Sequence, residues 1–127
     1  MFKILKDKTI CLTRGDIATL EVSANLEKDE LQNEEAYTFV PGDVVSFKVF
    51  QKKDCNSVVI EKRVTIEEEA PVATIRLESK DSRFGDVISK PVDYWYEVEL
   101  NPDTWPQTLI GYDEDGEKIF RLYPEGA

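Results

Sequence analysis

Short runs in which apolar and polar residues alternate recur from one end of the chain to the other, separated by turn residues. A period of two places successive side chains on opposite faces of a β-strand, whereas a helix needs a period near 3.6. The main runs are Thr9–Thr13, Ala18–Ser23, Val44–Gln51, Val58–Ile66, Val72–Leu77, Asp93–Leu100, Gln107–Tyr112 and Lys118–Tyr123, and Tyr37–Val40 is a candidate for a short edge strand. Their spacing predicts an all-β domain with seven to eight strands, of the sandwich or barrel class.

Two polar segments that contain glycine are expected to be hairpin turns. Arg14-Gly15-Asp16 joins the first two runs and Asp113–Glu117 joins the last two, and glycine gives each the backbone freedom of a tight turn. Each segment has a second interpretation. Arg-Gly-Asp is the tripeptide that integrin ligands display, and the carboxylates at positions 113, 115 and 117 resemble part of a calcium loop.

Two longer connections are less regular. Asn25–Glu35 is polar and acidic, and we expect it to be an exposed loop. Ser79–Ile88 is expected to be a connection with one helical turn, in which Phe84 closes one end of the core. Neither segment has the composition of an interdomain linker, so residues 1–127 are expected to form one domain.

The charge of the chain disfavours anionic partners. With 16 basic and 26 acidic residues, the formal charge is −10, whereas binding to nucleic acid or to an anionic membrane needs a basic surface. The N-terminal residues are broken by charge every two or three positions, unlike a signal peptide. We therefore expect the protein in the cytoplasm or in a particle assembled there.

The sequence offers little for catalysis or metal binding. It contains no histidine, the commonest general base and zinc ligand, and its two cysteines, Cys11 and Cys55, lack the spacing of a metal or redox site. The many carboxylates are interpreted as surface residues. We therefore expect no enzymatic activity, no cofactor and no metal.

Three aromatic residues are candidate partner contacts: Trp95, Trp105 and Tyr112. In Asp93–Leu100, Trp95 points away from the face that Tyr94 and Tyr96 share, so it lies on the outer side of a sheet. There it either contacts a partner or a sugar, or is covered by the chain itself. Tyr94 or Tyr96 is also a candidate for a hydroxyl that bonds the backbone, as in a tyrosine corner.

Several stretches resemble a known family of phage proteins. They are Leu12-Thr-Arg-Gly-Asp16, Phe39-Val-Pro-Gly-Asp-Val-Val-Ser-Phe47, Tyr94-Trp-Tyr-Glu-Val-Glu-Leu100, and the closing Gln107-Thr-Leu-Ile and Phe120-Arg-Leu-Tyr-Pro124. Together they are similar to small immunoglobulin-like proteins of phages and prophages of Gram-positive bacteria, such as the N-terminal domain of the lactococcal phage baseplate upper protein. The resemblance implies an immunoglobulin-like sandwich of two antiparallel sheets, a virion role and no catalytic residues.

Two functions follow as expectations. The first is a non-catalytic assembly module of a phage or prophage particle (baseplate, tail or capsid-associated), which contacts other virion proteins or copies of itself. The alternative is a carbohydrate- or cell-surface-binding module that uses exposed aromatic residues such as Trp95 and Trp105.

Overall fold

Eleven β-strands and one short 3₁₀ helix form the regular structure in a computed structural model, which describes residues 1–27, 34–51 and 57–125. The strands are β1 (Phe2–Ile4), β2 (Ile10–Thr13), β3 (Ala18–Val22), β4 (Ala24–Glu27), β5 (Glu34–Tyr37), β6 (Val44–Phe50), β7 (Val58–Thr65), β8 (Ala73–Leu77), β9 (Val92–Leu100), β10 (Gln107–Ile110) and β11 (Lys118–Tyr123). The 3₁₀ helix, Ser79–Ser82, lies between β8 and β9. The expected all-β class is confirmed.

One large sheet dominates the fold. Its strand order is β1-β2-β11-β9-β6-β7, and β10 also pairs with β9. Two small antiparallel sheets, β3-β8 and β4-β5, complete the described structure. The expectation of two antiparallel sheets is wrong in this respect, because β11 pairs with β2 in parallel, with Phe120 opposite Ile10 and Tyr123 opposite Thr13.

The core lies between the large sheet and β3-β8, which gives the molecule a sandwich-like character. Alternate residues of the main strands are buried as their sequence pattern predicts, because one face of each strand packs on apolar neighbours. The fully or almost fully buried side chains include Ile10, Leu12, Leu20, Val22, Val45, Phe47, Val49, Ile75, Leu77, Tyr96, Val98, Leu100, Phe120 and Leu122. Phe84 packs edge to face on Tyr94 at 5.1 Å, as expected of a residue that closes the core.

Neither of the two expected hairpins forms. β2 pairs with β1 and β11, whereas β3 pairs with β8, so Arg14-Gly15-Asp16 carries the chain from one sheet to the other. β10 and β11 also do not pair with each other. Both pair with the same long strand, β9, with Ile110 opposite Val98 and Lys118 opposite Tyr96. β10 and β11 therefore lie end to end along β9, and residues 111–117 form a loop between them.

The less regular segments differ from the sequence expectation at two points. Asn25–Glu35 is not all loop, because β4 and β5 occupy its ends and pair with each other, while residues 28–33 lie outside the described part. The N-terminal residues form β1, a strand that the sequence pattern did not predict. Ser79–Ile88 contains the expected helical turn. In the described ranges no helix has the length and apolar character needed to cross a membrane.

Candidate functional site

Trp95 lies in an apolar row that crosses the outer face of the large sheet. The strand pairing places Trp95 directly opposite Phe50 of β6 and Ile119 of β11. Directly opposite residues share one face of a sheet. Phe50 is buried, whereas Trp95 and Ile119 are half-buried. Trp95 therefore points away from the core as predicted, but much of its ring is covered.

Charged pairs flank this apolar row. On one side Arg121 donates a hydrogen bond to Asp93 at 2.7 Å, and on the other Lys48 lies opposite Glu97. Partial burial raises the pKa of the Glu97 carboxyl, and the nearby Glu99 raises it further. The outer face is thus a mixed surface in which apolar and charged rows alternate.

The other two candidate aromatic residues lie on separate loops. Trp105 follows β9, is 44% exposed and packs edge to face on Tyr37, with ring centroids 6.1 Å apart. Tyr112 lies in the 111–117 loop and is 80% exposed. Trp95 lies about 17 Å along the strand from Leu100, at roughly 3.3 Å per residue, and Trp105 follows beyond that end. The two tryptophans therefore do not form one binding platform.

A buried polar network lies close to the Tyr37–Trp105 pair. Asp43, 5% exposed, accepts hydrogen bonds from the Tyr37 hydroxyl at 2.7 Å, the Val40 backbone at 3.0 Å and the Asn101 amide at 3.0 Å. Burial alone raises the pKa of the Asp43 carboxyl, but these three bonds outweigh it and hold that pKa below its usual value. The network fixes the turn before β6 against the end of β9.

The Arg14-Gly15-Asp16 segment is a tight turn whose arginine is buried. Arg14 is 8% exposed, and its guanidinium donates hydrogen bonds to the carbonyl oxygens of Arg83 at 3.3 Å and Gly85 at 3.2 Å. The Gly15 amide donates to the Ser82 hydroxyl at 2.7 Å, and Asp16 pairs with the N-terminal ammonium. The turn thus docks the β2–β3 connection onto the 3₁₀ helix, and it does not display Arg14 to a receptor.

The Asp113–Glu117 segment is a turn held by a lysine. The Lys118 ammonium, 4% exposed, donates to Asp113 Oδ1 at 2.7 Å and to the Gly116 carbonyl oxygen at 3.2 Å. The Asp115 amide donates to the same Asp113 oxygen at 2.9 Å. A cation-binding position is therefore already taken by an ammonium group, and the described residues contain no cluster of three or more side chains arranged as metal ligands.

The edge of the large sheet at β1 is a surface that the sequence reasoning missed. We call Met1–Lys6 the β1 edge. Its apolar side chains are unusually exposed: Met1 is 46% exposed, Ile4 51% and Leu5 38%. The signal in the sequence was the alternation of Phe2 and Ile4 with Lys3, which is short and interrupted by charge.

An apolar cleft of about 180 Å³ opens beside the β1 edge. Ile4, Ile10, Leu20, Val22 and Ile110 contribute to its walls, and it leads from the surface toward the core. Lys8 and Glu21 are the two charged residues of its lining, which otherwise consists of apolar and aromatic side chains. This end of the molecule therefore has both an open strand edge, at β1, and an apolar recess beside it.

Comparisons with family models, with curated proteins and with solved structures found no match to this chain. Inference about function therefore rests on the chain's own sequence and surfaces.

Four of the buried polar residues hold turns of the backbone in place. Asp43 and Asn101 hold one turn, Arg14 holds a second and Lys118 holds a third. Buried polar groups that bond to one another in this way stabilise a single arrangement of the backbone. Among the described residues, surfaces open to contact with other molecules include the β1 edge, the outer face around Trp95 and the loop that carries Trp105.

Proposed function

We propose that this protein is a non-catalytic assembly module that acts through protein–protein contacts in a phage or prophage particle. The observation that carries the proposal is the β1 edge, where an edge strand of the large sheet exposes apolar side chains to solvent. Exposed edge strands with apolar side chains are natural sites for the addition of another chain. The buried side chains of Asp43, Arg14 and Lys118, which hold turns, support a scaffold role.

The particle is inferred from the resemblance of the sequence to phage and prophage proteins. The stretches that carry this resemblance include Tyr94–Leu100, which forms most of the central strand β9, and Phe120–Pro124, which includes the end of β11. The proposed place of action is a virion or its assembly intermediate in the host-cell cytoplasm. The partners are other particle proteins or further copies of this chain.

We also propose that the fold is immunoglobulin-like. The order β11-β9-β6 in the large sheet corresponds to the G-F-C order of an immunoglobulin sandwich, and the small sheet β3-β8 corresponds to B-E. In this proposal β9, whose buried face carries Tyr94 and Tyr96, takes the role of strand F. Under this correspondence β1, β7 and the outer face of the large sheet are the surfaces available for assembly.

The proposal is tested in two steps. The chain is co-expressed with the products of the neighbouring genes, and complexes are detected by size-exclusion chromatography with multi-angle light scattering. Mass spectrometry of particles purified after induction then shows whether the chain is a stoichiometric component. Absence from the particles, together with a monomeric chain in every co-expression, contradicts the assembly role.

A carbohydrate- or cell-surface-binding role is the second candidate, and one observation favours it. Trp105 is 44% exposed and is held edge to face by Tyr37, so its ring is pre-positioned for stacking on a sugar. A glycan array that compares the wild type with Trp105→Ala tests this role. Binding to a defined glycan that is lost in Trp105→Ala supports it, and equal signals from both proteins contradict it.

A further inference from the structure

The backbone of β1 is open on one side. β1 pairs with β2 on its other side. At the two ends of this antiparallel pair, the Thr13 amide donates to the Met1 carbonyl oxygen and the Leu5 amide donates to the Thr9 carbonyl oxygen, each at 2.9 Å. In an antiparallel ladder, residues that bond the neighbour alternate with residues that face away. Phe2 and Ile4 therefore direct their N–H and C=O groups outward, and in the described structure no strand pairs with them.

The charge at this edge is opposite to that of the protein as a whole. Residues 1–8 carry three of the 16 basic residues and only one of the 26 acidic residues. Lys3, Lys6 and Lys8 are all exposed, and within the described ranges neither Lys3 nor Lys6 forms an ion pair. An acidic segment that approaches this edge meets opposite charge, whereas it is repelled by most of the remaining surface.

The apolar cleft gives the edge a second recognition element. Ile4 is on the core-facing side of β1, opposite Ile10, and lines the cleft. A strand added along β1 points alternate side chains to that same side. One aliphatic side chain of such a strand can therefore enter the cleft, while its neighbours face Lys3 and solvent.

We propose that the β1 edge receives an extended acidic segment of a different particle protein, which adds to the large sheet as a further strand. The outward N–H and C=O groups of Phe2 and Ile4 bond its backbone, Lys3 and Lys6 pair with its carboxylates, and the cleft takes one of its aliphatic side chains. This inference rests on the proposed assembly function and names the chemistry of the partner.

The same features argue against a second copy of this chain as the occupant. Symmetric antiparallel pairing of two β1 strands, with Phe2 of one copy opposite Ile4 of the other, places Lys3 of one copy directly opposite Lys3 of the other. Lysines on an edge strand are a common protection against such self-pairing. A net charge of −10 on each copy adds a general repulsion. The lysines thus select a strand of opposite charge.

The probe for this proposal is a fluorescently labelled synthetic peptide in which glutamate and valine alternate. A peptide of the same composition with all its valines consecutive is the control for pattern, and a lysine–valine peptide is the control for charge. Fluorescence polarisation at low salt measures binding to the full chain. We expect the alternating acidic peptide to bind and both control peptides to bind at least about tenfold more weakly, because charge and register each contribute.

Protein variants test the assigned residues. The double variant Lys3→Glu/Lys6→Glu is expected to weaken binding about tenfold or more through two charge reversals. Lys80→Glu/Lys90→Glu, which makes the same change in net charge at two exposed lysines elsewhere, is expected to bind like the wild type. Circular dichroism confirms that each variant is folded.

Hydrogen exchange distinguishes strand addition from simple charge attraction. Binding of the alternating peptide is expected to slow exchange at the amides of Phe2 and Ile4, which have no partner strand in the described structure. No peptide binding, equal binding of the consecutive-valine peptide, or unchanged exchange at these amides overturns the inference. So does self-association through the β1 edge, detected by light scattering and changed by Lys3→Glu/Lys6→Glu.

The two proposals fail separately. If the chain assembles into particles but Lys3→Glu/Lys6→Glu assembles equally well, the β1 edge is not the docking site and the assembly role stands. If the chain is absent from particles and binds no neighbouring gene product, the assembly role itself is lost.

Discussion

The hydroxyl of Tyr96 donates a hydrogen bond of 2.5 Å to the carbonyl oxygen of Lys8. Tyr96 lies on the central strand β9, and Lys8, with a φ of 71°, lies in the turn between β1 and β2. A residue other than glycine rarely adopts positive φ, so the turn needs support from its surroundings. The bond thus fixes the β1 hairpin to the middle of the large sheet.

Removal of this hydroxyl is expected to loosen the hairpin. Tyr96→Phe leaves the Lys8 carbonyl without its donor and should lower the free energy of unfolding by about 1–2 kcal/mol, measured by urea titration. Hydrogen exchange at the Leu5 and Lys8 amides, which bond within the turn, should become faster. Tyr112→Phe, at a tyrosine that is 80% exposed, is the control and should change neither quantity.

Gly15 and Gly42 form a matched pair for testing the β2–β3 turn. Both have positive φ, 89° and 95°, but a Cβ at position 15 comes within 2.5 Å of Glu125 Oε1 and 2.7 Å of Arg83 Nε, whereas a Cβ at position 42 meets nothing within 4 Å. Gly42→Ala should therefore cost about 1–2 kcal/mol of stability from backbone strain alone. Gly15→Ala should cost more, since it also displaces the Arg83–Glu125 ion pair.

A second background tests why Gly15→Ala should lose more stability than Gly42→Ala. In an Arg83→Ala/Glu125→Ala background both side chains that crowd position 15 are removed, so Gly15→Ala should cost only about as much as Gly42→Ala. Thermal or urea unfolding of the four proteins in this cycle measures the difference. An equal cost for Gly15→Ala in both backgrounds contradicts the steric account.

The sequence predicted the buried faces of the strands better than their partners. Alternation identifies which side of a strand faces the core, so the interior positions of Phe47 and Val98 follow from the sequence pattern alone. Pairing depends on contacts between distant residues, which local pattern does not contain. Gly15 and Gly116 both indicate a turn, but a turn of this kind serves equally well between two sheets or in a loop that leaves one.

For the candidate sites, too, the sequence predicted the direction of side chains but not their contacts with distant residues. The outward direction of the Trp95 side chain follows from alternation along β9. Its partial burial depends on Phe50 and Ile119, which lie opposite Trp95 only because of how β9 pairs with β6 and β11. The sequence identified Arg14 and Asp113 as charged residues of turns. It could not show that Arg14 is buried, or that Lys118 holds Asp113, because both contacts depend on the three-dimensional course of the backbone.

Calcium is expected to leave the protein unchanged. Asp113 Oδ1 already accepts hydrogen bonds from Lys118 and Asp115, and an ammonium group repels a second cation at the same oxygen. Addition of millimolar calcium should therefore not raise the melting temperature measured by differential scanning fluorimetry. In Lys118→Met the competing cation is absent, so this variant shows whether the carboxylates alone bind calcium. A calcium-dependent rise in the melting temperature of the wild type contradicts this account.

Asp43 is expected to make stability depend on acidic pH. Burial raises the pKa of its carboxyl, but the bonds from Asn101, Val40 and Tyr37 outweigh that effect, so the folded-state pKa lies below the usual aspartate value of 3.8. A depressed folded-state pKa contributes stability that is fully present above the unfolded-state pKa and is lost as the pH falls through the folded-state value. The wild type should therefore lose stability below about pH 4, near the usual pKa of an aspartate.

Asp43→Asn isolates this contribution. The amide cannot accept all three bonds, so at neutral pH the variant should be less stable than the wild type by about 1–3 kcal/mol. Its stability should also fall less steeply in acid, so the two curves of unfolding free energy against pH converge as the pH drops. Asp103→Asn, at a carboxylate whose side chain is 74% exposed and pairs with Arg63, makes the same chemical change with little expected loss. Parallel curves for Asp43→Asn and the wild type would show that the Asp43 carboxylate does not cause the acid sensitivity.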